Sequence, residues 1–216
     1  MLRFERQCWR DGNVRVAGLD EAGRGPLAGP VVAAAVVIER CGLETEEHGR
    51  WAGLTDSKLL SAARREHYFG LFEELDGVEI GVGVADHTEI DELNILRATH
   101  TAMARAVLNL PTLPDHVLVD GLAVKGLPCA STAIVRGDSR SLLIAAASVV
   151  AKVVRDRCMC ALDRLYPRYG FAGHKGYGSR AHIQALFEHG PCAIHRRTFR
   201  PVREAAEIRR RAAEMR

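Results

Sequence analysis

Hydrophobic residues along this chain fall into short runs of strand length and longer stretches with helical spacing. Val14 to Leu19 alternates apolar with other residues, Val31 to Ile38 is almost wholly apolar, and Val78 to Ala85 alternates cleanly. These read as three strands, the second buried on both faces. His116 to Val119 and the stretch around Ser131 to Val135 read as two more. Between and after them lie helices. One follows an N-cap at Ser61, with Leu71, Phe72 and Leu75 on its apolar face. A short one spans Asp86 to Leu93, and Asn94 to Leu110 carries Ile95, Ala98, Ala102, Ala106 and Leu110 near one face until Pro111 and Pro114 stop it. Ser139 opens a long helix to about Tyr166, Ser179 caps one to His189, and Pro201 precedes a last one rich in Arg, Glu and Ala. Residues 40–53 read as a polar loop and Tyr169 to Gly178 as a glycine-rich loop. The order β-β-α-β-α-α-β-β-α-α predicts one mixed α/β domain with a helical C-terminal portion.

Composition adds bounds. The 216 residues, 47% hydrophobic and 26% charged, suffice for one sizeable core. The start carries no apolar signal region. The longest apolar run, Leu142 to Ala151, is too short to span a bilayer. Six scattered cysteines without a Cys-x-x-Cys pair predict reduced thiols, so a cytoplasmic protein is expected, with no membrane partner; the sequence does not determine the oligomeric state, and a monomer is the default expectation. Net charge is only +3, but residues 194–216 hold eight Arg against three Glu, which leaves the remainder slightly acidic. Such a tail suits a polyanion partner; the plain alternative is a solvated helix.

The candidate chemistry sits where strands end. Asp20, Asp120 and Asp138 each follow an apolar strand at or beside a glycine, and strand ends of an open sheet converge at one rim. Glu21 adjoins Asp20. Adjacent strand residues point to opposite faces, so a site shared by Asp20 and Glu21 requires the chain to leave extended geometry near Glu21. Gathered carboxylates repel one another, and hard divalent cations such as Mg²⁺ resolve that repulsion with oxygen ligands. A pair of such ions can promote in-line cleavage of a phosphodiester. Asp156 reads as a structural salt-bridge residue, and His174, His182 and His195, whose spacing matches no zinc pattern, as loop and packing residues.

The run Asp20-Glu21-Ala22-Gly23-Arg24-Gly25-Pro26-Leu27-Ala28-Gly29-Pro30-Val31 resembles the N-terminal signature of ribonuclease HII, the type 2 ribonuclease H. Further likeness lies in Asp56-Ser57-Lys58, Asn94 to Thr99, Leu118 to Gly121, Gly137-Asp138-Ser139, Ile144 to Arg157 and His174 to Gly178, covering nearly the whole chain. One departure is Leu59, where the family often has a basic or polar residue. The resemblance implies the ribonuclease H fold, a five-stranded mixed sheet flanked by helices, in a catalytic domain of residues 1–200 followed by a basic helical tail of residues 201–216. It implies a metal-dependent endonuclease that cuts the RNA strand of RNA–DNA hybrids. The same enzyme would cut 5′ of single ribonucleotides in duplex DNA, leaving 5′-phosphate and 3′-hydroxyl ends, a role in ribonucleotide removal. Asp20, Glu21, Asp120 and Asp138 would be catalytic, with one or two Mg²⁺ or Mn²⁺ ions on Asp20, Glu21 and Asp120. Gly23, Arg24 and Gly25 would meet the ribose 2′-hydroxyl, Tyr177 the next sugar, and Ser57, Lys58 and Lys175 the substrate backbone. A DNA-only nuclease of the same fold and a non-catalytic hybrid-binding protein are the alternatives.

Overall fold

The computed structural model describes residues 1–46 and 49–214. After a first helix, α1 (Arg3–Arg10), come β1 (Val16–Ala22) and β2 (Val31–Ile38), then α2 (Arg40–Glu46), α3 (Ala62–Glu74) and β3 (Val78–Ala85). Next are α4 (His87–Leu93), α5 (Ile95–Leu108), β4 (His116–Asp120), β5 (Ala130–Ile134) and a 3₁₀ turn at Gly137–Ser139. The chain ends with α6 (Leu142–Leu165), α7 (Phe171–His174), α8 (Arg180–His189) and α9 (Arg200–Glu214). The five strands form one sheet in the order β3-β2-β1-β4-β5, antiparallel from β3 to β1 and parallel from β1 to β5.

β2 is apolar throughout because both its faces are covered. On one, Val16, Ala34, Val36 and Leu118 pack against α6; on the other, Ala17, Leu19, Ala33 and Val119 pack against α5. The run of small residues from Ala145 to Ala147 lets α6 lie close to the sheet. A Cβ on Gly18 would meet the Leu143 carbonyl carbon at 2.1 Å, so glycine sets this approach. Gly83 does the same for α5, where a Cβ would meet the Ala102 carbonyl oxygen at 2.0 Å.

Several boundaries depart from the sequence reading. β1 does not leave extended geometry at Glu21: it stays paired with β2 to Ala22↔Val32. The pleat therefore sends Asp20 to the α6 face and Glu21 to the α5 face. The expected polar loop at 40–53 begins with α2; residues 47 and 48 of it lie outside the described residues. Ser141, not Ser139, caps α6, accepting from the Ile144 N–H. The Tyr169–Gly178 loop contains the single turn of α7, and Pro201 sits inside the first turn of α9. Ser61 and Ser179 cap α3 and α8 as expected. Val202 and Ala205 of α9 are buried with Leu27 and Leu186, so the start of the basic tail packs against the loop after β1. Among the described residues no helix is long and apolar enough to cross a membrane.

Candidate active site

Three carboxylates are brought together by register. β1 and β4 run parallel with Leu19 opposite Val119, so Asp20 and Asp120, the next residues along, lie side by side on one face. Asp138 comes from the 3₁₀ turn after β5, and the Gly137 N–H donates to Asp120 Oδ1 at 2.6 Å, tying that turn to β4. Asp20, Asp120 and Asp138 each offer an oxygen within 4.8 Å of the others. Glu21 lies outside this group; its carboxylate faces the Arg24 guanidinium at 3.3 Å.

The electrostatics are those of like charges crowded together at a partly buried rim. Burial, with the charges of Glu21 and Asp120, holds the Asp20 carboxyl well above the usual carboxylate range, against a hydrogen bond from Ser148 that favours ionisation. Burial, then Asp120 and Asp56, also raises Asp138. Burial alone would lower Lys58, but Asp56, Asp20, Asp138 and Asp120 outweigh it and raise its ammonium instead. An all-oxygen, like-charged, partly desolvated donor set fits a hard divalent cation.

Beside the carboxylates opens a cavity of about 610 Å³, lined by Glu21, Gly23–Gly25, Ser57, Lys58 and Tyr177, with Arg65, Ser148 and Lys152 from α3 and α6. Gly25 lies against the Tyr177 ring: a Cβ there would be 3.6 Å from its Cε1. Every substrate-facing residue expected from sequence borders this cavity except Lys175. The Lys175 ammonium donates to the Ala172 carbonyl, and its side chain lines a neighbouring cavity of about 400 Å³ with Arg65, Arg157 and Arg164. Ser57 is buried, its hydroxyl 2.9 Å from that of Ser148.

The sequence reading missed Ser148, which bridges Ser57 and Asp20 and was visible only as one polar residue in a run of alanines. It also missed Arg155 and Arg196, both buried, whose partners are backbone carbonyls of the loop after β1. Asp156 is a salt-bridge residue as read, 2.7 Å from the Lys152 ammonium. His182 and His195 are buried packing residues as read, and they also bond to each other at 3.1 Å between Nε2 atoms.

The chain is similar to known proteins over nearly its whole length. A family model described as Ribonuclease HII matches residues 17–202. A ribonuclease HII of Geobacter metallireducens is 53% identical over 201 residues, covering 93% of this chain and 91% of the relative. The structure of the ribonuclease H2 from Pyrococcus horikoshii OT3 superimposes with a TM-score of 0.73 at 29% identity, over 91% of this chain and 99% of the other. A Bst-RNase HIII structure in complex with Mn²⁺, 18% identical with a TM-score of 0.68 over 92% of this chain and 71% of the other, shares the fold.

Proposed function

The chain belongs to the ribonuclease HII family, endoribonucleases of RNA–DNA hybrids, and from that premise we propose that it is a metal-dependent enzyme that also cuts 5′ of a single ribonucleotide embedded in duplex DNA. The observation that supports this reading is the meeting of three carboxylates with a cavity bordered by both Gly23–Gly25 and Tyr177.

Asp20, Asp120 and Asp138 would hold the cation, Mg²⁺ or Mn²⁺, with Glu21 adding a further carboxylate at the cavity edge. Bound there, the cation supplies charge that stabilises an in-line displacement at phosphorus and a water acidic enough to act near neutral pH. The residues of the chain do the rest. Ser148 orients the Asp20 carboxylate and is itself held by Ser57. Lys58 stands among the carboxylates as a cation that can meet a backbone phosphate. Backbone groups of Gly23 and Gly25, unshielded by side chains, can approach a ribose closely, and only RNA offers a 2′-hydroxyl there. Arg24, half exposed, can turn its donor fork from Glu21 to the substrate. The Tyr177 ring, 44% exposed beside Gly25, would pack on the sugar that follows. Deoxyribose lacks the hydroxyl and allows closer contact, so the two parts together select an RNA-to-DNA junction.

Cleavage of a hybrid duplex with and without chelator tests the proposal. EDTA should abolish cutting, and Mg²⁺ or Mn²⁺ should restore it without attack on an all-DNA duplex. Cutting that persists in chelator, or an all-DNA duplex cut at a comparable rate, would overturn it.

A further inference from the structure

Arg155 is 1% exposed on α6, yet no carboxylate lies within ion-pair distance of it among the described residues. Its guanidinium donates instead to three backbone carbonyls. Nε reaches Pro30 at 3.0 Å, Nη2 reaches Ala28 at 3.4 Å, and Nη1 reaches Lys175 at 3.0 Å. The first two belong to the loop after β1 and the third to the segment that carries Tyr177. Its carbon also lies 5.9 Å from the centre of the Tyr177 ring. The two segments meet directly where the Leu27 N–H donates to the Gly176 carbonyl at 2.8 Å.

Each segment has its own fixing besides. Arg196, also fully buried, donates to the carbonyls of Gly23, Arg24 and Gly29. His182 Nδ1 lies 2.9 Å from the Tyr177 carbonyl, and its Nε2 meets His195, whose Nδ1 accepts from the Cys192 N–H. Those contacts hold each segment to the body of the protein, whereas the Arg155 side chain spans both. A buried cation without an acidic partner is costly to fold around, and what offsets that cost here is three carbonyls that an apolar side chain would leave without these donors. A planar guanidinium with donors in fixed directions is what three diverging carbonyls require.

We propose that Arg155 is a positioning residue that sets the spacing between the Gly23–Pro30 loop and Tyr177, and thereby the preference for an RNA-to-DNA junction. This rests on the reading of those two segments as the parts that meet the ribonucleotide and the following sugar. Loosening the spacing leaves the carboxylates in place and blurs the distinction between a junction and a uniform hybrid.

The test compares kcat/KM on a duplex carrying one ribonucleotide with kcat/KM on a uniform RNA–DNA hybrid. Arg155→Lys keeps the charge but cannot bridge both segments. It should lower the junction-to-hybrid ratio by about tenfold, the size of coupling common between residues of one network. Tyr177→Ala should lower the ratio in the wild type and add little in the Arg155→Lys background. An unchanged ratio in Arg155→Lys, or two losses that simply multiply, would overturn the role of Arg155 while leaving Tyr177 as a junction reader. Equal losses on both substrates in Tyr177→Ala alone would remove the reading on which the inference rests. Hydrogen exchange of the Arg155 Nε–H, read in the wild type, tests the role even where Arg155→Lys does not fold. In EDTA, the single-ribonucleotide duplex should slow that exchange more than a uniform hybrid does. Equal slowing by the two duplexes would overturn the role of Arg155.

Discussion

Replacing Asp20 by Asn should stabilise the metal-free protein and destabilise the metal-loaded one relative to wild type. At 4.8 Å, the upper limit of the oxygen separations in the group, two full carboxylate charges repel by about 3.5 kcal/mol at an effective dielectric of about 20. Relaxation and solvent screening remove part of this repulsion, so deleting one of the two charges should recover roughly 2 kcal/mol at neutral pH. For a chain of 216 residues that is a rise of about 4–8 °C in Tm. The sign with pH follows from the raised Asp20 carboxyl. The native state holds the proton that the unfolded chain releases, so the penalty is absent below about pH 4, grows as pH rises to the raised native value, and is constant above it. The advantage of the variant should therefore vanish on acidification. Mn²⁺ at about a hundred times its Kd should add about 2.7 kcal/mol to the wild type and much less to the variant, whose amide is a neutral and weaker ligand. Thermal melts with EDTA and with Mn²⁺, from pH 4 to 8, measure all of this. A variant less stable than wild type in EDTA at neutral pH would refute the electrostatic reasoning, as would equal stabilisation of both proteins by Mn²⁺.

Two further outcomes are expected. Burial, then the neighbouring His182, lowers the His195 imidazole to about 3, so its contribution to stability is complete above about pH 6.5 and is lost as pH falls toward 3. Urea unfolding at pH 7 and pH 5 should show His195→Gln losing less stability than wild type over that interval, by up to about 2 kcal/mol; identical losses would remove His195 from the acid response. Removing residues 207–216, which leaves the buried Val202 and Ala205 in place, should weaken hybrid binding and reduce its salt slope by about one unit per lost phosphate contact. An unchanged slope would make this part of α9 a solvated helix and nothing more.

The strands and the carboxylates were legible in the sequence because both follow from periodicity and position. Val78–Ala85 alternates and is β3 at those bounds, and three strand-end aspartates do converge at one rim. Glu21 shows the limit of that reasoning. Its separation from Asp20 depends on β1 remaining paired to Ala22, which the glycines that follow disguise. α2 was hidden because Arg40–Glu46 carries a glycine and charges on several sides and holds its place through Leu43, buried against the core. Arg155 and Arg196 were illegible for a different reason. Their partners are main-chain carbonyls, in most cases more than a hundred residues away, and a carbonyl leaves no mark in the identity of the residue that supplies it.

In the proposed mechanism the carboxylates and the two reading segments work together on an RNA-to-DNA junction. Mapping the cut on a DNA duplex that carries one ribonucleotide, with Mg²⁺ and with Mn²⁺, tests it most directly. A single break is expected on the 5′ side of the ribonucleotide, leaving 5′-phosphate and 3′-hydroxyl ends, and none in EDTA. A break on the 3′ side, or cuts scattered through the flanking DNA, would contradict it.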